Sequence, residues 1–172
     1  MKRLLSYFTG SVSTDSKTFE LAYLLFRLHL GISIAYGAGF FKMFTKIDEN
    51  AAFEWSNVYF GTSQWFIDQV SDIGFTFPNP SFWAYVAIYG EFIGGILIAV
   101  GFLTRMAALQ LAFQFFIISF VWYDNPEPLY GMYYQQLFFF CYLLITIAGS
   151  GRYSIDSWLR KRKIETWICD KV

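Results

Sequence analysis

An all-α polytopic membrane protein, built as a bundle of four transmembrane helices, is the fold class this sequence predicts. Three observations predict it. Hydrophobic residues make up 56% of the 172 residues and aromatics 23%, while charged residues fall to 15%, against roughly 25% in a soluble domain. A soluble surface cannot carry that much Phe and Tyr without becoming adhesive, whereas a lipid-facing surface can. Long apolar stretches recur, and a span takes about 20 predominantly apolar residues at 1.5 Å rise per residue. Finally, the net charge is zero, yet the charges are sorted by position along the chain.

Residues 1–18 hold a short apolar run and a Ser/Thr-rich stretch, with no long apolar region ahead of a small-residue cleavage site, so no cleaved signal peptide is read. Lys2 and Arg3, beside Leu4, Leu5, Tyr7 and Phe8, suit the membrane surface. The first span runs over about 19–41, with Asp15 or Ser16 as cap, and it contains Arg27 and His29 before ending at Lys42. Residues 43–80 form the long connection, where acidic residues mix with Phe53, Trp55, Tyr59, Trp65 and Phe66. One or two amphipathic helices are expected there, capped by Asp48 and Ser63, with the aromatic rings at headgroup level. Pro78 and Pro80 end it.

The second span, about 81–103, carries Glu91 well inside it, followed by Gly94, Gly95 and Gly101. A carboxylate at that depth costs several kcal/mol unless protonated or paired, so it marks function by default. A turn at Thr104-Arg105 leads into the third span, about 106–123. Asp124–Pro128 reads as a turn, and the fourth span covers about 131–148. Gly149-Ser150-Gly151 then breaks the helix ahead of a basic tail, 158–172, so that residues 19–157 form the membrane domain. Lys2, Arg3, Lys17, Arg105, Arg152, Arg160, Lys161, Arg162 and Lys163 fall on one side, nine of the thirteen basic residues. By the positive-inside rule both termini are cytoplasmic and the aromatic loop faces outward.

Several chemistries are disfavoured. No basic face interleaves with aromatics, which argues against nucleic acid. Cys141 and Cys169 form no CxxC and are expected as free thiols rather than a dithiol or zinc site. One histidine cannot supply bis-histidine haem ligation, and neither a phosphate loop, a nucleophile elbow nor a metal-ligand cluster is present.

The charges inside the spans carry the functional question. Counted from opposite membrane faces, Arg27, His29 and Glu91 all reach mid-membrane, so Arg27 and Glu91 are expected to pair through a bidentate bond. Such a pair is either a clamp fixing helix register or one wall of a polar pocket that holds a head group or moves protons. His29 suits the second role as an imidazole, but it lies about 200° around the helix from Arg27. Gln110 and Gln114 share a face at i, i+4 spacing; with Gln135, Gln136, Tyr85 and Tyr89 they either line a cavity for a quinone-like head group or join helices by hydrogen bonds.

Taken in order, Arg27, Gly31, Gly39-Phe40-Phe41-Lys42, Pro78-x-Pro80, Glu91-x-x-Gly94-Gly95, Gly101-x-x-Thr104-Arg105 and Gly149-x-Gly151-Arg152-Tyr153-Ser154-Ile155-Asp156 resemble the DoxX family over about 20–157. The resemblance implies a small four-helix protein of the bacterial inner membrane. A related subunit belongs to a thiosulfate:quinone oxidoreductase, and other relatives are linked to thiol and oxidative-stress handling. The matching motif positions are Arg27, Lys42, Glu91, Arg105 and Asp156. The bundle also looks loosely like vitamin K epoxide reductase, but without a CxxC its dithiol transfer does not carry over. His29 and the long aromatic loop depart from the minimal family pattern.

The expectation is therefore a DoxX-like protein that binds a quinone or another lipid-soluble molecule through Arg27, His29, Tyr89, Glu91 and Gln114. It would contact membrane lipids, act with a redox partner as part of a membrane oxidoreductase, and be able to form a homo-oligomer. No metal or nucleic acid enters this reading. The alternatives are a non-catalytic anchor that recruits partners through the aromatic loop or basic tail, and, more weakly, a small-solute transporter that would have to oligomerise.

Overall fold

The structure is a computed structural model that describes residue 12 and residues 14–47, 54–122 and 133–169, the side chains of 133 and 163–169 excepted. Helix α1 (Lys17–Ile34) begins where the Ser16 hydroxyl accepts the Phe19 N–H at 3.3 Å, satisfying one of the orphan donors of a helix start. It continues through a π-helical segment, Ala35–Phe40, into a last α turn, Phe41–Met43. Two short strands follow, β1 (Phe44–Lys46) and β2 (Val58–Phe60), paired antiparallel with Phe44 opposite Phe60.

Helix α2 (Gln64–Asp72) buries Phe66 and Val70, one turn apart, and exposes Gln64, Trp65, Asp68 and Asp72. It is amphipathic, as expected of the loop. Ser63 stands at its N-cap position, although the hydroxyl makes no capping bond. Helix α3 (Pro80–Val100) opens on Asn79, whose side chain accepts the Ser81 N–H at 2.9 Å. Pro80 fits its first position because an N–H there would lack a partner anyway. Gly101, at φ 74°, closes it in the left-handed conformation that glycine adopts most cheaply. Then come α4 (Thr104–Phe120), α5 (Tyr133–Ala148) and α6 (Ile155–Cys169).

Helix α1 packs on α3, α3 on α4, and α4 on α5, while α2 lies against α3. Leu30 and Ile34 of α1, Ile98 of α3, Leu111 and Phe115 of α4, and Ile145 of α5 meet in one core. Small residues set the spacing between α1 and α3. A Cβ on Gly31 would lie 2.7 Å from the Ala99 backbone nitrogen, and one on Gly39 would lie 2.7 Å from the Phe92 Cα. That close approach makes glycine a requirement at both positions.

The outward faces are apolar at helical spacing. Leu137, Phe140, Leu144 and Ile147 form such a stripe on α5, and Leu109, Phe113 and Phe116 another on α4, all exposed. Buried Glu91, Gln114, Ser119 and Arg27 sit inside, the reverse of a soluble protein. Among the described residues, Lys17–Met43 and Pro80–Val100 are long and apolar enough to cross a membrane, and Thr104–Phe120 and Tyr134–Ala148 are shorter apolar helices.

The fold departs from expectation in two places. The chain is not purely helical, because alternating Phe44, Thr45 and Lys46 pair with Val58, Tyr59 and Phe60 as a hairpin. The loop's one amphipathic helix among the described residues falls within the one or two expected, with a 3₁₀ turn at Trp55–Asn57 before it. The segment read as a basic tail is helical from Ile155. The Asp48 cap, Lys2 and Arg3, the Asp124–Pro128 turn and the Cys169 side chain lie outside the described residues.

Candidate functional site

Helix α1 ends with Lys42 turned onto the middle of α3. Its Nζ donates to both carboxylate oxygens of Glu91, at 2.9 Å each. Glu91 is 1% exposed while the Lys42 side chain is 35% exposed, so one partner is sealed inside and the other reaches toward the protein surface. The Lys42 ammonium also stands 5.2 Å from the centre of the Phe66 ring, within cation–π range. That contact ties the loop helix α2 to the buried pair.

On the far side of Glu91, the Gln114 amide donates to Oε1 at 2.7 Å, and the Gln110 amide donates to the Gln114 carbonyl at 3.1 Å. Lys42, Glu91, Gln114 and Gln110 thus form one continuous polar chain crossing from α1 through α3 to α4. The two glutamines end it at the wall of a cavity of about 190 Å³. Phe66, Val70, Ile73 and Phe75 roof this space from the loop. Trp83, Val86 and Ala87 of α3, Phe113, Ile117 and Ile118 of α4, and Trp122 beyond it supply the remaining walls. Val86 and Phe113 are 41% and 58% exposed, so the cavity lies next to the outer surface between α3 and α4.

The predicted ion pair between Arg27 and Glu91 is corrected here. Arg27 is 1% exposed, but its Nη2 donates to the Tyr153 carbonyl at 2.8 Å, and the guanidinium packs on Gly101 so closely that a Cβ there would overlap Nη1. Gly101 is ten residues beyond Glu91, roughly 15 Å along α3. The equal-depth estimate failed because the register of two antiparallel helices follows their closest packing, Gly31 on Gly95 and Ala99, and Gly39 on Phe92. That register sets Arg27 opposite the end of α3 and Lys42 opposite its middle.

Arg27 belongs instead to a polar clasp that joins the 149–156 loop to α1 and to the start of α4. Glu20 accepts the N–H groups of Thr14 and Arg152 at 2.8 and 2.9 Å, and the Tyr23 hydroxyl donates to the Gly149 carbonyl at 2.7 Å. Asp156 accepts from the Leu103 and Thr104 N–H groups at 3.1 and 3.3 Å and from the Thr104 hydroxyl at 3.4 Å. It thereby caps α4 from a distant part of the chain. Arg105 donates to the Ile147 carbonyl at 3.0 Å.

The remaining expected ligand residues are scattered. His29 is exposed on the outer face of α1 with Leu25 and Ile32, away from the cavity. Tyr89 is exposed as well, stacked on Tyr85 with centroids 6.2 Å apart, and does not line the cavity. Of the five residues expected to bind ligand, Glu91 and Gln114 are brought together. Lys42, expected only as the end of a span and a family position, is the true partner of Glu91. Tyr142 was not singled out at all; it is wholly buried, and among the described residues its hydroxyl has no partner. Cys141 is a free thiol.

Helices that turn apolar stripes outward and keep an ion pair and amides inside define a membrane protein. The DoxX family model matches residues 22–124, more than half of the chain, and the chain belongs to that family. Inner membrane protein YqjF of Escherichia coli (strain K12) is 33% identical over 107 residues, which span 60% of this chain and 76% of that protein. No solved structure matches.

Proposed function

We propose that this DoxX-family protein crosses the bacterial inner membrane four times, with both termini cytoplasmic, and holds a quinone or another lipid-soluble molecule in the cavity between α2, α3 and α4. The observation that carries the reading is that cavity, apolar on nearly every wall yet ended by amides wired to a buried ion pair. Small-molecule sites have this character, mostly apolar with a few placed polar groups. About 190 Å³ suits one ring, since an apolar cavity of about 150 Å³ binds benzene. A tail would leave between Val86 and Phe113, directly into lipid.

Gln110 and Gln114 would orient the head group, α2 would exclude water from above, and Lys42 would hold the Glu91 carboxylate, and through it Gln114, in place. A quinone so held would supply two-electron redox chemistry, and in this reading a separate redox partner exchanges electrons with it. The inner membrane assignment draws on the relative's name, and the topology on the basic residues gathered at the end that holds Arg105 and Arg152.

Solvent extraction of the gently purified protein, read by mass spectrometry, tests the proposal. Wild type is expected to release one lipid-soluble ring compound per chain. Ala87→Trp, which fills the cavity, is expected to release none while keeping its melting temperature. An empty wild-type extract, or equal release from the filled variant, would overturn it.

A further inference from the structure

Granted only that the bundle crosses a membrane, we infer that the first two turns of α6 form an interfacial helix that binds anionic phospholipid in the leaflet at that end of the bundle. The start of α6 is fixed at the level where the spans end. The Asp156 N–H donates to the Gly101 carbonyl at 3.0 Å, just past the last residue of α3. Its carboxylate takes the Leu103 and Thr104 N–H groups at the start of α4. These bonds turn one side of α6 inward, where Asp156 and Ser157 are buried and Arg160 is half-buried.

The opposite side is apolar and exposed. At 3.6 residues per turn, Ile155, Trp158, Leu159 and Arg162 share one arc of about 100°, and all four are exposed, as is Tyr153 just before them. Trp158 and Leu159 follow Asp156 by two and three residues, about 3–5 Å along the axis. They stand at the membrane boundary whatever direction the rest of α6 takes. Tryptophan favours that level, where its ring meets acyl chains and its N–H meets headgroups.

Charge selects the lipid. Residues 152–163 hold five basic residues and one acidic, and the acidic one, Asp156, faces α4. Arg152, Lys161 and Arg162 are exposed, and the Arg162 guanidinium lies over the Trp158 ring at 4.0 Å. Residues 160–162 follow Asp156 by about 6–9 Å, the depth of a headgroup layer. Long basic side chains there lay their stems along apolar surface and their charges among the phosphates. Each basic residue near an anionic surface is worth roughly fivefold in affinity.

Tryptophan quenching tests this on the full-length protein in phosphatidylcholine nanodiscs, with part of the lipid brominated near its headgroup. The share of Trp158 is the difference between wild type and Trp158→Phe. Brominated phosphatidylglycerol is expected to half-quench that share at a content at least tenfold below that of brominated phosphatidylcholine. Lys161→Gln, an exposed position that leaves the fold alone, should narrow the preference by roughly fivefold. Changing Arg160, Lys161 and Arg162 together to Gln should remove most of it. Equal quenching by the two lipids in wild type, no quenching by either, or a preference unchanged in the triple variant would overturn the inference. So would a shift of Trp158 emission by soluble polyglutamate without any lipid preference, which would assign the face to an acidic protein.

Discussion

The Lys42–Glu91 pair makes an asymmetric prediction. Lys42→Met leaves a carboxylate that is 1% exposed with Gln114 as its remaining partner. Removing one member of a buried pair costs about 3–5 kcal/mol because a charge stays behind without compensation. Glu91→Gln leaves the ammonium instead, and Lys42 is already 35% exposed. Its long side chain can carry that charge to the membrane surface, so the loss is closer to the 1–3 kcal/mol of an unmade buried hydrogen bond.

At about 2–4 °C per kcal/mol for a chain of this size, Lys42→Met should lower the melting temperature in mild detergent by roughly 10 °C. Glu91→Gln should lower it by about half of that or less. The double variant should cost less than the sum of the two, since neither charge then remains buried. Arg27→Met combined with Glu91→Gln should be additive, because Arg27 bonds to the Tyr153 carbonyl and not to Glu91. Equal costs for the two single variants, or additivity in the Lys42/Glu91 double, would refute the assignment of this pair.

Other positions give sharper contrasts. Gly31→Ala forces a methyl against the Gly95 carbonyl and the Ala99 nitrogen and should cost about 1–3 kcal/mol as overpacking. Gly37→Ala meets nothing within 4 Å and should leave the melting temperature within a few degrees of wild type. Asp156→Ala removes the acceptor for the Leu103 and Thr104 N–H groups; about 1–2 kcal/mol should be lost, as for other caps, with Asp156→Asn recovering part of it. His29→Leu, on an exposed apolar face, should change neither the thermal stability nor the ligand recovered by extraction.

Much of this molecule was legible in the chain. Ser16, Pro80 and Gly149 bound helices where the sequence reading put the breaks, because capping and the backbone preferences of proline and glycine are local properties of one or two residues. Gly101, read as lying inside the second span, ends α3 instead. The apolar runs give the helices themselves, and the pairing of Gln110 with Gln114 follows from i, i+4 spacing on one helix. The hairpin was missed because three-residue strands leave too short an alternation to stand out among aromatic loop residues. The cavity was missed in detail because its roof, Phe66 through Phe75, comes from a segment whose docking no local pattern fixes. Asp156 as the cap of α4 was invisible for the same reason, being 52 residues from Thr104.

The sequence by itself determined the membrane class, the apolar helices and the fact that Glu91 needs a partner, since composition, periodicity and the cost of a buried charge act along one chain. Only the tertiary structure decided that the partner is Lys42 and not Arg27. Depth within a span says how far along its helix a residue lies, but register between helices is set by where backbones can touch. Here Gly31 against Gly95 and Gly39 against Phe92 slide α1 along α3 until the lysine at its end meets the carboxylate.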